Sequence, residues 1–176
     1  MDRIFLTGFM GTGKSAVGPL AARALNYEFI DLDRVIERAA RKTIPEIFES
    51  EGEAGFRDRE SAALRQVARG NACVVATGGG VVMREENRTL MAESGHLICL
   101  TASVAAIVRR TRRQRGKRPM LGTSGNLTER VKALIAEREP YYKACHHIID
   151  TTGRPADAVA REVVRIHREG AWRTSG

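Results

Sequence analysis

The chain has 176 residues, 43% hydrophobic and 28% charged, which suits one domain with an ordinary core and leaves no room for a second catalytic domain. Its formal net charge of +8 admits nucleic acid, a membrane surface or small anionic ligands as partners. No apolar stretch approaches the ~18 residues of a membrane span and no basic-plus-apolar leader precedes the first strand, so a cytoplasmic protein without a membrane partner is expected. Cys73, Cys99 and Cys145 are widely spaced, and two lie in apolar runs, the pattern of small buried hydrophobes rather than of a disulfide framework or zinc site.

In chain order, the apolar run Ile4-Thr7 predicts a first strand leading into Gly8-Phe9-Met10-Gly11-Thr12-Gly13-Lys14-Ser15, a complete G-x-x-x-x-G-K-S phosphate-binding loop followed by a helical pattern. Gly11 and Gly13 let successive backbone N–H groups turn around phosphate oxygens, Lys14 adds a point charge, and the Ser15 hydroxyl suits Mg²⁺. Gly11, Thr12, Gly13, Lys14, Ser15 and Ala16 are thus the candidate nucleotide contacts. Val17, Leu20, Ala21, Ala24 and Leu25 recur with helical spacing and predict the buried face of the next helix. Pro19 inside it predicts a kink or a loosened first turn.

The second strand, Glu28-Ile30, ends in Asp31-Leu32-Asp33, at the edge where open parallel sheets bind ligands. Alternating residues there point the same way, so both carboxylates can face a phosphate-transfer site; the alternative is that Asp33 caps the following helix. The stretch 33–71 is too long for one helix and is broken at Pro45 and Glu51-Gly55, which predicts an inserted helical subdomain carrying Phe56-Arg57. A third strand, Cys73-Ala76, runs into Gly78-Gly79-Gly80, where a ligand can approach the backbone closely. No acidic residue ends that strand, which leaves Asp31 as the nearest metal-associated carboxylate.

After the fourth strand, Leu97-Leu100, much of the positive charge falls in Arg109-Arg118 without interleaved aromatics, the composition of a phosphate clamp plus solvated charge rather than of a base-stacking surface. The Arg-, Gly- and Pro-rich segment 111–125 predicts a lid. Leu127, Val131, Leu134 and Ile135 define the next helix, which carries Arg138; a fifth strand, His147-Ile149, and a last helix follow. Arg57 or Arg138, taken singly, reads better as a solvated surface charge than as a site residue. Five strands alternating with helices predict an α/β fold, a five-stranded parallel sheet covered on both faces, within one domain over 1–170 and with a disordered tail at 171–176.

The ordered set formed by the phosphate-binding loop, Phe29-Ile30-Asp31-Leu32-Asp33, Gly52-Glu53-x-x-Phe56-Arg57 with Glu60, Gly78-Gly79-Gly80, Arg118-Pro119 and Arg138 before Pro140-Tyr141-Tyr142 resembles shikimate kinase from Arg3 to about Arg165. The resemblance implies a nucleoside monophosphate kinase-like fold with a substrate subdomain at about 33–60 and a lid at about 111–125. It implies transfer of the ATP γ-phosphate, with Mg²⁺, to the 3-hydroxyl of shikimate on the route to chorismate and the aromatic amino acids. A monomer with no nucleic-acid partner is expected. By the same resemblance Lys14, Asp33 and Arg118 are catalytic, Arg57 and Arg138 hold the substrate carboxylate, and Gly78, Gly79 and Gly80 offer backbone contacts. Phe48 and Phe56 wall the acceptor pocket, Ser15 ligates Mg²⁺ with Asp31 acting on metal-bound water, and Arg110, Arg118 and Arg154 contact the nucleotide.

Three positions depart from the family pattern: Ala16 stands where Thr is usual, Pro19 where a basic residue is usual, and Met120 where Leu is commoner. Loss of a hydroxyl at Ala16 predicts slightly weaker nucleotide binding. The rival readings are another small-molecule kinase of this fold, such as a gluconate-type or nucleoside monophosphate kinase, and a nucleotide-dependent RNA-binding protein using the basic run.

Overall fold

A computed structural model describes residues 2–112 and 126–170 of the chain. Its elements are β1 (Arg3–Thr7), α1 (Lys14–Leu25), β2 (Glu28–Asp31), α2 (Leu32–Ala40), α3 (Ile44–Ala68), β3 (Cys73–Ala76), α4 (Glu85–Ser94), β4 (His96–Thr101), α5 (Val104–Thr111), α6 (Leu127–Tyr142), β5 (His147–Asp150) and α7 (Ala156–Glu169), with a short 3-10 turn at Val81–Met83. The five strands form one sheet in the order β2-β3-β1-β4-β5, and every neighbouring pair is parallel. Each predicted strand is present, extended by one residue at one or both ends except β3.

Strand alternation divides the core into two layers. Ile4 and Leu6 of β1, Val74 of β3, and Ile98 and Leu100 of β4 pack with Val17, Ala21 and Val163 on the α1/α7 side. Phe5, Val75, Leu97 and Cys99 point the other way, into a layer with Leu32, Leu64, Met91, Ile107 and Val131. Because both faces of the central strands are covered, these residues form continuous apolar runs rather than an alternating pattern. Truncating one of them, such as the wholly buried Leu6, to Ala costs about 2–5 kcal/mol.

The buried face of α1 differs from expectation. Val17, Gly18, Ala21 and Ala22 face inward, while Leu20 is 37% exposed and Ala24 lies in solvent. Gly18 shifts the face: a side chain there would collide with the Phe29 ring, so β2 packs against bare backbone and the helix turns toward it. Helix α1 runs unbroken through Pro19, which is exposed together with Ser15, whose carbonyl loses its helical partner on the side that water reaches.

The stretch between β2 and β3 is the helical insertion that its length and breakers predicted. Thr43 and Glu46 form a capping box, Pro45 sits in the first turn of α3, and Gly52, at φ 68° and ψ −176°, interrupts that helix. Gly52 thereby divides the turn bearing Phe48 from the one bearing Phe56 and Arg57. Residues 113–125 of the expected lid, Arg118 and Met120 among them, and the tail 171–176 lie outside the described residues.

Candidate active site

The phosphate-binding loop leaves the C-terminal end of β1, the central strand, and is built from backbone. Gly8, Gly11 and Gly13 have φ of 127°, 77° and 105°, a region that L side chains rarely adopt. Gly13 is the N-cap of α1 and offers no side chain to its first turn, so a ligand can approach the helix at its electropositive end. Within the loop the Thr12 hydroxyl donates to the Phe9 carbonyl at 2.7 Å, and Lys14 Nζ donates to the carbonyls of Gly8 at 2.6 Å and Phe9 at 2.9 Å. A cavity of about 260 Å³ opens here, lined by Gly11, Gly13, Lys14, Ser15 and Ala16 of the loop, by Asp31 and Asp33, by Gly78 and Gly79, and by Arg110.

Arg110 ties this loop to the far side of the sheet. Its guanidinium donates to Gly11 O at 3.0 Å, Thr151 Oγ1 at 3.1 Å and Thr151 O at 3.1 Å. The Thr151 hydroxyl also lies 2.8 Å from Thr12 O and 3.0 Å from Thr101 O, so its single proton serves one of two carbonyls while it accepts from Arg110. Thr151 went unnoticed in the sequence, where a threonine just past a strand carries no signal. Arg154 bonds Glu162 Oε2 at 2.6 Å and Asp150 O at 3.2 Å and does not line the cavity.

On the acceptor side, β2 pairs with β3 so that Asp31 lies beside Ala76. A carboxylate thus stands one strand away from the end of β3. Asp31, not Asp33, is the N-cap of α2: its Oδ1 accepts from the Asp33 N–H at 3.1 Å. That frees Asp33, in the first turn of α2, from the capping role, and its Oδ1 lies against Gly78.

Two of the three glycines after β3 make room for charged groups: a side chain on Gly78 would collide with Glu60, with Asp33 alongside, and one on Gly80 would overlap the Arg57 guanidinium, while Gly79 lies between Gly8 O and Arg138 Nη1. Arg57 is 8% exposed, bonds Glu60 at 2.9 Å and Glu53 at 3.1 Å, and stacks 5.3 Å from the Phe56 ring centroid. Phe56 in turn packs on the half-buried Phe48 with ring centroids 4.7 Å apart. Burial pushes the Glu60 carboxyl above its ordinary range, assisted by the Asp33 charge and opposed by Arg57 and Arg138.

Arg138 is 2% exposed, lies over the Phe9 ring at 5.6 Å, and has two buried nitrogens, Nε and Nη2, with no partner among the described residues. Both arginines are thus buried rather than solvated charges. Glu60 and Tyr142, quoted in the sequence pattern without a role, are brought in as well, the latter donating its hydroxyl to Gly79 O at 2.7 Å. No group of three or more His, Cys, Asp or Glu side chains among the described residues could hold a metal ion. Ser15 and Asp31, which both line the cavity, suit Mg²⁺, which is commonly bound through one or two protein oxygens plus phosphates and waters.

Comparison with known proteins agrees with this geometry. The family model described as shikimate kinase matches residues 10–168. A shikimate kinase of Chromohalobacter salexigens is 46% identical over 166 residues, covering 94% of this chain and 91% of its own. The structure of shikimate kinase from Acinetobacter baumannii in complex with shikimate superposes with a TM-score of 0.91 at 36% identity, covering 97% of this chain and 94% of that one. A gluconokinase from Sinorhizobium meliloti, at 16% identity and a TM-score of 0.62, shares the fold alone. The chain belongs to the shikimate kinase family.

Proposed function

We propose that the chain transfers the γ-phosphate of ATP to the 3-hydroxyl of shikimate, giving shikimate 3-phosphate and ADP, by the following division of labour. The observation that carries the acceptor assignment is Arg138, a buried guanidinium beside the triglycine turn, two of whose nitrogens have no partner among the described residues. A cation held this way is costly without an anion, and a carboxylate matches its planar fork. Arg138 and Arg57 hold the substrate carboxylate, the Gly78-Gly80 backbone approaches the ring hydroxyls, and Phe48 and Phe56 wall the pocket. Asp33 accepts the hydrogen bond, and then the proton, of the attacking hydroxyl.

The backbone amides of Gly11 to Ala16 and the Lys14 ammonium position the ATP phosphates, so that catalysis rests on alignment and charge neutralisation. Ser15 and Asp31 are the residues that would hold Mg²⁺, directly and through water, where it neutralises phosphate charge. Arg118 is assigned to the transferring phosphoryl group, and Arg110 and Arg154 to the nucleotide edge. The segment 111–125 is assigned as lid and 33–60 as acceptor subdomain of a single domain.

A monomer is part of the proposal. No helix among the described residues is long and apolar enough to cross a membrane, and Cys73, Cys99 and Cys145 are free; a cytoplasmic setting and the lack of a nucleic-acid partner belong to the proposal. A coupled assay of ADP release tests the reading, with shikimate, gluconate and nucleoside monophosphates as acceptors. Shikimate is expected to give the highest kcat/KM; preferred turnover of any other acceptor overturns it.

A further inference from the structure

The geometry points to Tyr142 as a positioning residue that sets the aim of both the triglycine turn and the Arg138 clamp on the acceptor, an inference that rests on the site reading above. The phenol is 6% exposed and donates to the carbonyl of Gly79, 63 residues away in the chain, at 2.7 Å. Arg138 and Tyr142 are four residues apart in α6 and so share one face of the helix. The Arg138 guanidinium bears on the same hydroxyl and also stands next to Gly79. One hydroxyl therefore links the two parts of the acceptor site that come from distant segments.

The link matters because three consecutive glycines have more backbone freedom than any other sequence, and something must choose one conformation. A trans peptide is planar, with its C=O and N–H pointing in opposite directions. Holding the Gly79 carbonyl toward Tyr142 therefore fixes the Gly80 N–H on the opposite side, and Gly80 is the glycine against Arg57. Burial raises the phenol pKa above its ordinary value, so the hydroxyl stays protonated and remains a donor throughout the working range. A phenylalanine would fill the same space between the helix and the turn without choosing a peptide orientation or touching Arg138.

The test is Tyr142→Phe in the full chain, assayed with shikimate and with its methyl ester, alongside the ATP KM and circular dichroism. The ester lacks the charged carboxylate that the arginines hold. The shikimate KM is expected to rise about tenfold, equivalent to about 1.4 kcal/mol, with the ATP KM and the spectrum unchanged. The preference for acid over ester should narrow, because a misaimed Arg138 penalises only the acid. A shikimate KM within about twofold of the parent's, equal losses for acid and ester, or an ATP KM rising in step would each overturn the positioning role. Failure of the parent enzyme to phosphorylate shikimate would instead overturn the functional reading itself.

Discussion

The phosphate side and the acceptor side of the proposed site are built by opposite means. Eight contiguous residues make the phosphate loop, its donors are backbone amides, and its special φ angles belong to glycines inside the motif. The acceptor side gathers Asp33 from α2, Arg57 and Glu60 from α3, the turn after β3, and Arg138 and Tyr142 from α6, with ion pairs and rings holding them. A local motif works wherever a strand feeds it into a helix. An assembled pocket works only when several elements pack in register, so substitutions there should separate binding from chemistry more sharply.

The largest effect is expected on the phosphate side. Lys14→Ala should lower kcat by about 100-fold or more, since it removes a charge that stabilises the transferring phosphoryl group, while circular dichroism stays unchanged because the Lys14 side chain bonds carbonyls of the loop, which belong to no strand or helix. Parent-like turnover with ATP and Mg²⁺ would break the assignment of that side. Asp33→Asn should come next, lowering kcat by about 100-fold through loss of the proton acceptor with little change in the shikimate KM. A kcat within about twofold, under ~0.5 kcal/mol of barrier, would reduce Asp33 to a favourable acid in the first turn of α2.

Arg57→Lys sharpens the comparison on the binding axis. It keeps the charge but loses the fork shared between Glu53, Glu60 and the substrate, so the shikimate KM should rise about tenfold while kcat holds; an unchanged KM would place the carboxylate on Arg138 alone. Thr151→Val, on the nucleotide side, removes one hydroxyl from the Arg110 network. With a hydrogen bond worth about 1 kcal/mol, the ATP KM should rise about fivefold and the shikimate KM stay fixed. If both rise together, the two halves are mechanically coupled.

The smallest effect lies away from both halves, at the opposite end of the sheet. His96, the wholly buried first residue of β4, has the rings of His146, His147 and His167 within 5.0 to 6.0 Å. Burial, reinforced by those three neighbours, lowers its pKa from 6.5 to about 3. Between these values the unfolded chain binds the extra proton, so stability is full above pH 6.5 and declines as pH falls toward 3. Melting temperature should hold from about pH 8 to 6.5 and then drop by several degrees. His96→Phe should flatten that slope; an unchanged slope would assign the acid sensitivity to other groups.

Much of this molecule was legible in one dimension. Five apolar runs, a complete phosphate loop and the Asp31/Asp33 pair led to the sheet and its ligand-binding edge, because strand burial, phosphate cradling and strand-end geometry depend on neighbours within a few residues. The ordered motif set led further, to the family and to both arginines. What tertiary structure alone decided is whatever depends on contacts across the chain. Gly18 chose the buried face of α1 by admitting Phe29, Asp31 took the cap that Asp33 was offered, and Thr151 and Tyr142 reached carbonyls 139 and 63 residues away. A hydroxyl or a carboxylate has the same chemistry wherever it stands in a sequence; its partner, and so its role, is set by the packing that brings the two within 3 Å.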